Sequence, residues 1–181
     1  QVGNLSKPSD AVSVTTPDTE APTVPSSLTV TNLKQDSFTL NWTASTDNVG
    51  VTEYLVYQDG TLDTTVVANA ARISKLKAAK AYSMTLKAKD KAGNLSAASA
   101  ALKVTTPDTD KPTVPSDLIA SNITETGLTL KWKSSKDNVK VTAYKVYQNG
   151  SLKSSVSDTV LTVNDLQVYR NYSFTVEAQD S

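Results

Sequence analysis

Cysteine and histidine are both absent from the 181 residues. Those two absences exclude disulfides, thiolate nucleophiles, thiolate or imidazole metal sites, Ser-His-Asp triads and histidine acid–base steps. They leave the compartment open, because a cysteine-free chain is safe in reducing and oxidising surroundings alike. An excess of charge is missing too: 18 Lys+Arg stand against 18 Asp+Glu. No basic run has the length that tracks a phosphate backbone, so nucleic acid is not an expected partner. No apolar stretch approaches the roughly 18 residues of a membrane span, and the N-terminus lacks the apolar centre of a signal peptide. Helical periodicity is absent as well. What is present is ordinary for a globular protein, with 38% apolar and 20% charged residues in a length that suits one to two domains.

The chain repeats itself. Pro22–Leu28 reads PTVPSSL and Pro112–Leu118 reads PTVPSDL, and 112 minus 22 is 90. The same offset carries Trp42 onto Trp132, Tyr54 onto Tyr144, Tyr57 onto Tyr147, Gly60 onto Gly150, Leu76 onto Leu166 and Tyr82 onto Tyr172, with no gap. GNLS at Gly3–Ser6 recurs at Gly93–Ser96, and TTPDT at Thr15–Thr19 recurs at Thr105–Thr109. A period of this size marks an array of modules. The expected divisions are 1–16, the last strand of a preceding module; 17–21, linker; 22–106, a complete module; 107–111, linker; and 112–181, a module lacking its last strand. The first residue is Gln1 and the pattern breaks off at Ser181, so both ends read as cuts in a longer polypeptide. The Pro- and Thr-rich linkers TPDTEAPTVP and TPDTDKPTVP predict stiff extended segments.

Within each unit apolar residues alternate, as along Ser37–Trp42 and Tyr82–Ala88, which predicts strands with one buried and one wet face. Turn signals at Asp47-Asn48, Asp59-Gly60, Gly93-Asn94 and Asn149-Gly150 are spaced for an all-β sandwich of seven short strands. Asp59-Gly60 and Asn149-Gly150 suit tight hairpins, where positive φ favours Gly and Asn.

These residues resemble the fibronectin type III family over essentially the whole chain. The proline-rich lead PTVPSSL, the strand LTLKW ending at Trp132, the Tyr-rich YLVYQDG and YKVYQNG, and a Leu-x5-Tyr step stand in family order. Leu76 to Tyr82 and Leu166 to Tyr172 resemble the family's tyrosine corner, without the proline usual between them. The resemblance implies tandem seven-stranded β-sandwiches with Trp42, Trp132, Tyr54, Tyr144, Tyr82 and Tyr172 at inward or corner positions. The DTxxPTVP linker, the loop STDNVGVT and the ending AKDKAGNLSAAS are most similar to modules of secreted bacterial polysaccharide-degrading enzymes and surface proteins. There such modules act as non-catalytic spacers, and polysaccharide lies nearby. The loop before the last strand reads Asp90-Lys-Ala-Gly93, so the Arg-Gly-Asp mode of integrin binding is not implied.

Carboxylates are the acid–base chemistry left open: Asp47 with Asp137, Asp90 with Asp180, and the linker acids Asp18, Glu20, Asp108 and Asp110. Loops this short leave no room for the facing carboxyls of a glycosidase cleft, so no catalytic residue and no cofactor are expected. Asp47-Asn48 and Asp90 are read as turn closers. Calcium held by the linker acids and backbone carbonyls is the alternative that their clustering keeps open. Tyr57, Tyr147 and Tyr169 remain as surface aromatics, too few for a sugar-stacking row, which makes an accessory carbohydrate-binding module the alternative function. The triplets Asn41-Trp42-Thr43 and Asn171-Tyr172-Ser173 are read as coincidental in a bacterial chain.

Residues 8–16 duplicate the strand that the last module lacks, with Val12 and Val14 at the positions of Leu102 and Val104. Burying two such side chains contributes roughly 3–6 kcal/mol. The sequence therefore predicts head-to-tail association, in which the N-terminal strand of one copy completes the last sandwich of the next.

Overall fold

The computed structural model describes residues 3–181; Gln1 and Val2, the first residues of the expected division 1–16, lie outside that range. Thirteen strands and no helix are found among the described residues. The first seven are β1 (Ser26–Thr31), β2 (Ser37–Thr43), β3 (Val51–Gln58), β4 (Thr61–Val66), β5 (Ala70–Ser74), β6 (Ala81–Asp90) and β7 (Leu102–Thr105). They build one sheet in the order β1-β2-β5 and another in the order β4-β3-β6-β7. The remaining six are β8 (Ser116–Ser121), β9 (Leu128–Lys133), β10 (Ala143–Gln148), β11 (Ser151–Val156), β12 (Val160–Val163) and β13 (Phe174–Gln179). These form the sheets β12-β9-β8 and β11-β10-β13. The fold is all-β, two sandwiches in tandem, as the alternating pattern requires.

Period-2 alternation places every second side chain inside. In β2 these are Phe38, Leu40 and Trp42, and in β6 Tyr82, Met84, Leu86 and Ala88, all buried. The second sandwich encloses Leu128, Leu130, Trp132, Tyr144, Val146, Val163 and Leu166 as one core.

The repeat extends to backbone conformation. Among the described residues ten non-glycine residues have positive φ, and they fall into five pairs at the 90-residue offset: Ser27/Asp117, Asn32/Asn122, Asp59/Asn149, Lys75/Asp165 and Ala79/Tyr169. Asp59-Gly60 has φ of 50 and 82, and Asn149-Gly150 has 49 and 80, the double positive φ of a two-residue type I′ hairpin. Each turn is tied to the strand beside it, since the Ser83 amide donates to Asp59 Oδ1 and the Ser173 amide to Asn149 Oδ1, both over 2.8 Å.

The two copies differ along one edge. In the first, β7 flanks β6, and Ser99 Oγ and Ser96 Oγ accept the amides of Leu86 and Ala88 over 3.0 and 2.9 Å. In the second, β13 is the outer strand of its sheet. The consequence is visible in burial: Tyr82, Met84, Leu86 and Ala88 are buried, whereas Tyr172, Phe174, Val176 and Ala178 are only half-buried. Tyr172 packs against the second core but is only half-buried, and its hydroxyl accepts the Gln167 amide over 2.8 Å as a tyrosine corner requires. Residues 3–25 form no strand, and Val12 and Val14 are exposed.

Candidate functional site

Asp47, Asp90 and Asp137 close turns. Asp47 Oδ2 accepts the amides of Val49 and Gly50 over 2.9 and 2.8 Å, and Asp137 Oδ1 accepts those of Val139 and Lys140 over the same distances. Asp90 Oδ1 accepts Gly93 and Asn94 amides over 2.7 and 2.8 Å, and its Oδ2 accepts Asn94 Nδ2 over 2.7 Å. Burial pushes the Asp90 carboxyl up. The hydrogen bonds from the Asn94 side chain and from the Asn94, Gly93 and Ala92 backbone outweigh it and hold the group below the usual aspartate value.

Three of these loops converge. Asp18 from the segment before β1, Asp47 from the β2–β3 loop and Asp90 from the end of β6 each offer a carboxylate oxygen, and these atoms lie within 4.8 Å of one another. Asp18 Oδ1 accepts Asn48 Nδ2 and the Glu20 amide, both over 3.1 Å. Asp18 Oδ2 and Asp47 Oδ1 are buried without any hydrogen-bond partner. Asn94 Nδ2, with two hydrogens, faces three acceptors: Asp90 Oδ2, the Glu20 carbonyl at 3.0 Å and the Asp18 carbonyl at 3.3 Å.

This grouping departs from the expected one. The linker acids do not bridge among themselves: Asp18 meets Asp47 and Asp90, while Glu20 lies outside the trio and enters through its backbone. Asp110 likewise turns to Gln35, whose Nε2 donates to it over 3.1 Å. In the second copy Asp108 Oδ1 accepts Asn138 Nδ2 over 3.1 Å, and Asp108 Oδ2 and Asp137 Oδ2 are again buried without a partner. The signal was in the 90-residue ruler, which marks Asp18/Asp108, Asp47/Asp137 and Asp90/Asp180 as three separate pairs. Their convergence needed loop positions that no spacing supplies.

The aromatic residues are used inside. Trp42 and Tyr54 meet edge to face with centroids 5.3 Å apart, and Trp132 and Tyr144 repeat this at 5.6 Å. Both tryptophans are buried. Tyr57 and Tyr147 are half-buried, and the Tyr147 hydroxyl donates to Glu177 over 2.9 Å. Of the seven tyrosines, Tyr169 alone is exposed.

Tandem β-sandwiches with paired Trp–Tyr cores, turn-closing aspartates and a tyrosine corner define a repeat-module protein. The chain matches the fibronectin type III domain over residues 21–105 and 112–181, and it belongs to that family. It is 46% identical over 169 residues to chitinase A1 of Niallia circulans, covering 91% of this chain and 24% of that protein. It is 44% identical over 176 residues to exoglucanase A of Cellulomonas fimi, covering 92% of this chain and 20% of the enzyme. For exoglucanase B of the same organism the figures are 38% over 193 residues, 99% and 18%. The chain therefore spans a quarter or less of the length of these relatives. A solved chitinase from Bacillus thuringiensis aligns with 90% of this chain and 30% of its own at 25% identity, with a TM-score of 0.49.

Proposed function

We propose that the chain is a non-catalytic spacer array within a larger secreted bacterial enzyme that degrades polysaccharide. The observation that carries this reading is coverage: fibronectin type III modules account for nearly all of this chain, while the chain spans 24% and 20% of a chitinase and an exoglucanase. The burial of both tryptophans and the single exposed tyrosine favour spacing over carbohydrate binding, which needs several rings on one face. The test is incubation of the isolated chain with insoluble chitin and cellulose. The expected result is no depletion from the supernatant and no released sugar; depletion that Tyr169→Ala abolishes supports the accessory carbohydrate-binding alternative.

A second reading concerns the 181-residue polypeptide as it stands. The open edge of β13 and the exposed segment 8–16 support strand donation between copies. In the first sandwich Thr106 Oγ1 donates to the Lys77 carbonyl over 2.6 Å, and Ser96 and Ser99 cap the β6 edge. Ser6, Ser9 and Thr16 are their 90-residue counterparts, and with Val12 and Val14 they provide the same pattern to β13 of a neighbour. Residues following Ser181, where present, would compete for that seat. Light scattering across concentration, with and without residues 1–16, decides: association lost on deletion supports donation, and a monomer in both cases rejects it.

A further inference from the structure

We propose that Asp18, Asp47 and Asp90 form a calcium site that fastens the linker to the first sandwich. The geometry suits that ion. Ca²⁺ binds carboxylate and carbonyl oxygens at about 2.3–2.6 Å, so any two of its ligands stand no more than about 4.6–5.2 Å apart, and the three carboxylate oxygens, each within 4.8 Å of the others, can share one such shell. Mg²⁺, which demands a rigid octahedral shell at about 2.0–2.1 Å and keeps several of its waters, is less suited to a cage of protein oxygens. With no cysteine or histidine in the chain, the donors are hard oxygens.

The orphaned oxygens point independently to a ligand. A buried carboxylate oxygen without a partner is costly, and Asp18 and Asp47, half-buried as residues and hydrogen-bonded through Oδ1 and Oδ2 respectively, each keep their other oxygen, Oδ2 and Oδ1, buried and unpartnered beside a third carboxylate. Neither of the ion pairs described, Lys89–Glu53 and Lys133–Asp117, serves these acids. A divalent cation satisfies both orphans and cancels the mutual repulsion in one step. The same two orphans recur ninety residues on, at Asp108 Oδ2 and Asp137 Oδ2, which is not expected of an accident of one loop. There the residue at the third position is Asp180, half-buried at the outer edge, and the trio is closed only in the first copy among the described residues.

The consequence is mechanical. Asp18 lies outside every strand, so a cation joining it to Asp47 and Asp90 adds coordination to the hydrogen bonds from Asn48 and Asn94 and between Thr23 and Thr46 that tie the segment to the sandwich. Calcium titration of the full chain by isothermal calorimetry, with thermal melts in calcium and in EDTA, tests the site. The expected result is saturable binding with a dissociation constant on the order of 0.1–1 mM, as in extracellular modules, and a melting point raised by roughly 5 °C at saturation. Asp18→Asn, which lies outside the sandwich and leaves its circular dichroism unchanged, weakens binding at least about tenfold by removing one charged ligand. Absence of heat and of any shift at about 10 mM calcium, or an equal shift in Asp18→Asn, overturns the proposal.

Discussion

The Ser135 amide donates to the Tyr144 hydroxyl over 2.9 Å, so the ring that meets Trp132 edge to face also pins the loop leaving β9. Ser45 and Tyr54 make the same contact over 2.8 Å. One side chain thus fills the core and satisfies a loop amide. Tyr144→Phe keeps the ring and orphans the amide, at a cost of about 1–3 kcal/mol. Urea unfolding is expected to show a lower midpoint with unchanged slope; an unchanged midpoint means that water replaces the hydroxyl.

Position 127 tells the two copies apart. A Cβ on Gly127 would stand 2.8 Å from the Val163 carbonyl, whereas the 90-residue counterpart is Ser37, buried in the first sandwich. Gly127→Ser, although it copies the sister repeat, forces β12 away from β9. The expected loss is about 1–3 kcal/mol, read from the thermal transition of the second sandwich. Ser37→Gly loses less, through backbone entropy of about 0.5–1 kcal/mol.

Burial along β6 and β13 predicts unequal truncation costs. Leu86 is 0% exposed, and its counterpart Val176 is half-buried. Leu86→Ala is expected to cost about 2–5 kcal/mol. Val176→Ala costs less, because its cavity opens towards solvent at the outer edge. Equal losses in denaturant titration would show that the β13 edge is covered in solution, as strand donation requires.

Tyr147 offers an alkaline signature. Its hydrogen bond to Glu177, then burial, then the carboxylate charge, raise the phenol above the usual tyrosine range. A raised folded pKa means that the contribution to stability is intact below the unfolded value of about 10 and is lost as pH rises through the folded value. Spectrophotometric titration should show this phenol titrating at lower pH in Glu177→Gln than in the unaltered chain. The first copy has Lys87 at the position of Glu177, so this contact is particular to the second sandwich.

Most of the architecture was legible because the sandwich writes itself in period 2. Phe38, Leu40 and Trp42 are spaced for one face, and Asp59-Gly60 can do little but turn. The 90-residue offset then fixed which residues play equivalent parts, down to the paired positive φ values. Two things were not legible. Tyr172 looks identical to Tyr82 in sequence, and its partial exposure follows from which strand stands beside β13. The meeting of Asp18 with Asp47 and Asp90 depends on loops separated by tens of residues, each with a satisfactory local role in its own turn. Turn closing accounted for Asp47 and Asp90 singly and so concealed their meeting with Asp18.

The spacer reading is tested most directly by exchange. The chain is placed between a chitinase catalytic domain and a chitin-binding module, and compared with a fusion that joins the two directly. The account predicts equal hydrolysis of soluble oligosaccharide by both proteins and faster hydrolysis of insoluble chitin when the array is present. Equal rates on insoluble chitin, or activity of the array by itself, would contradict it.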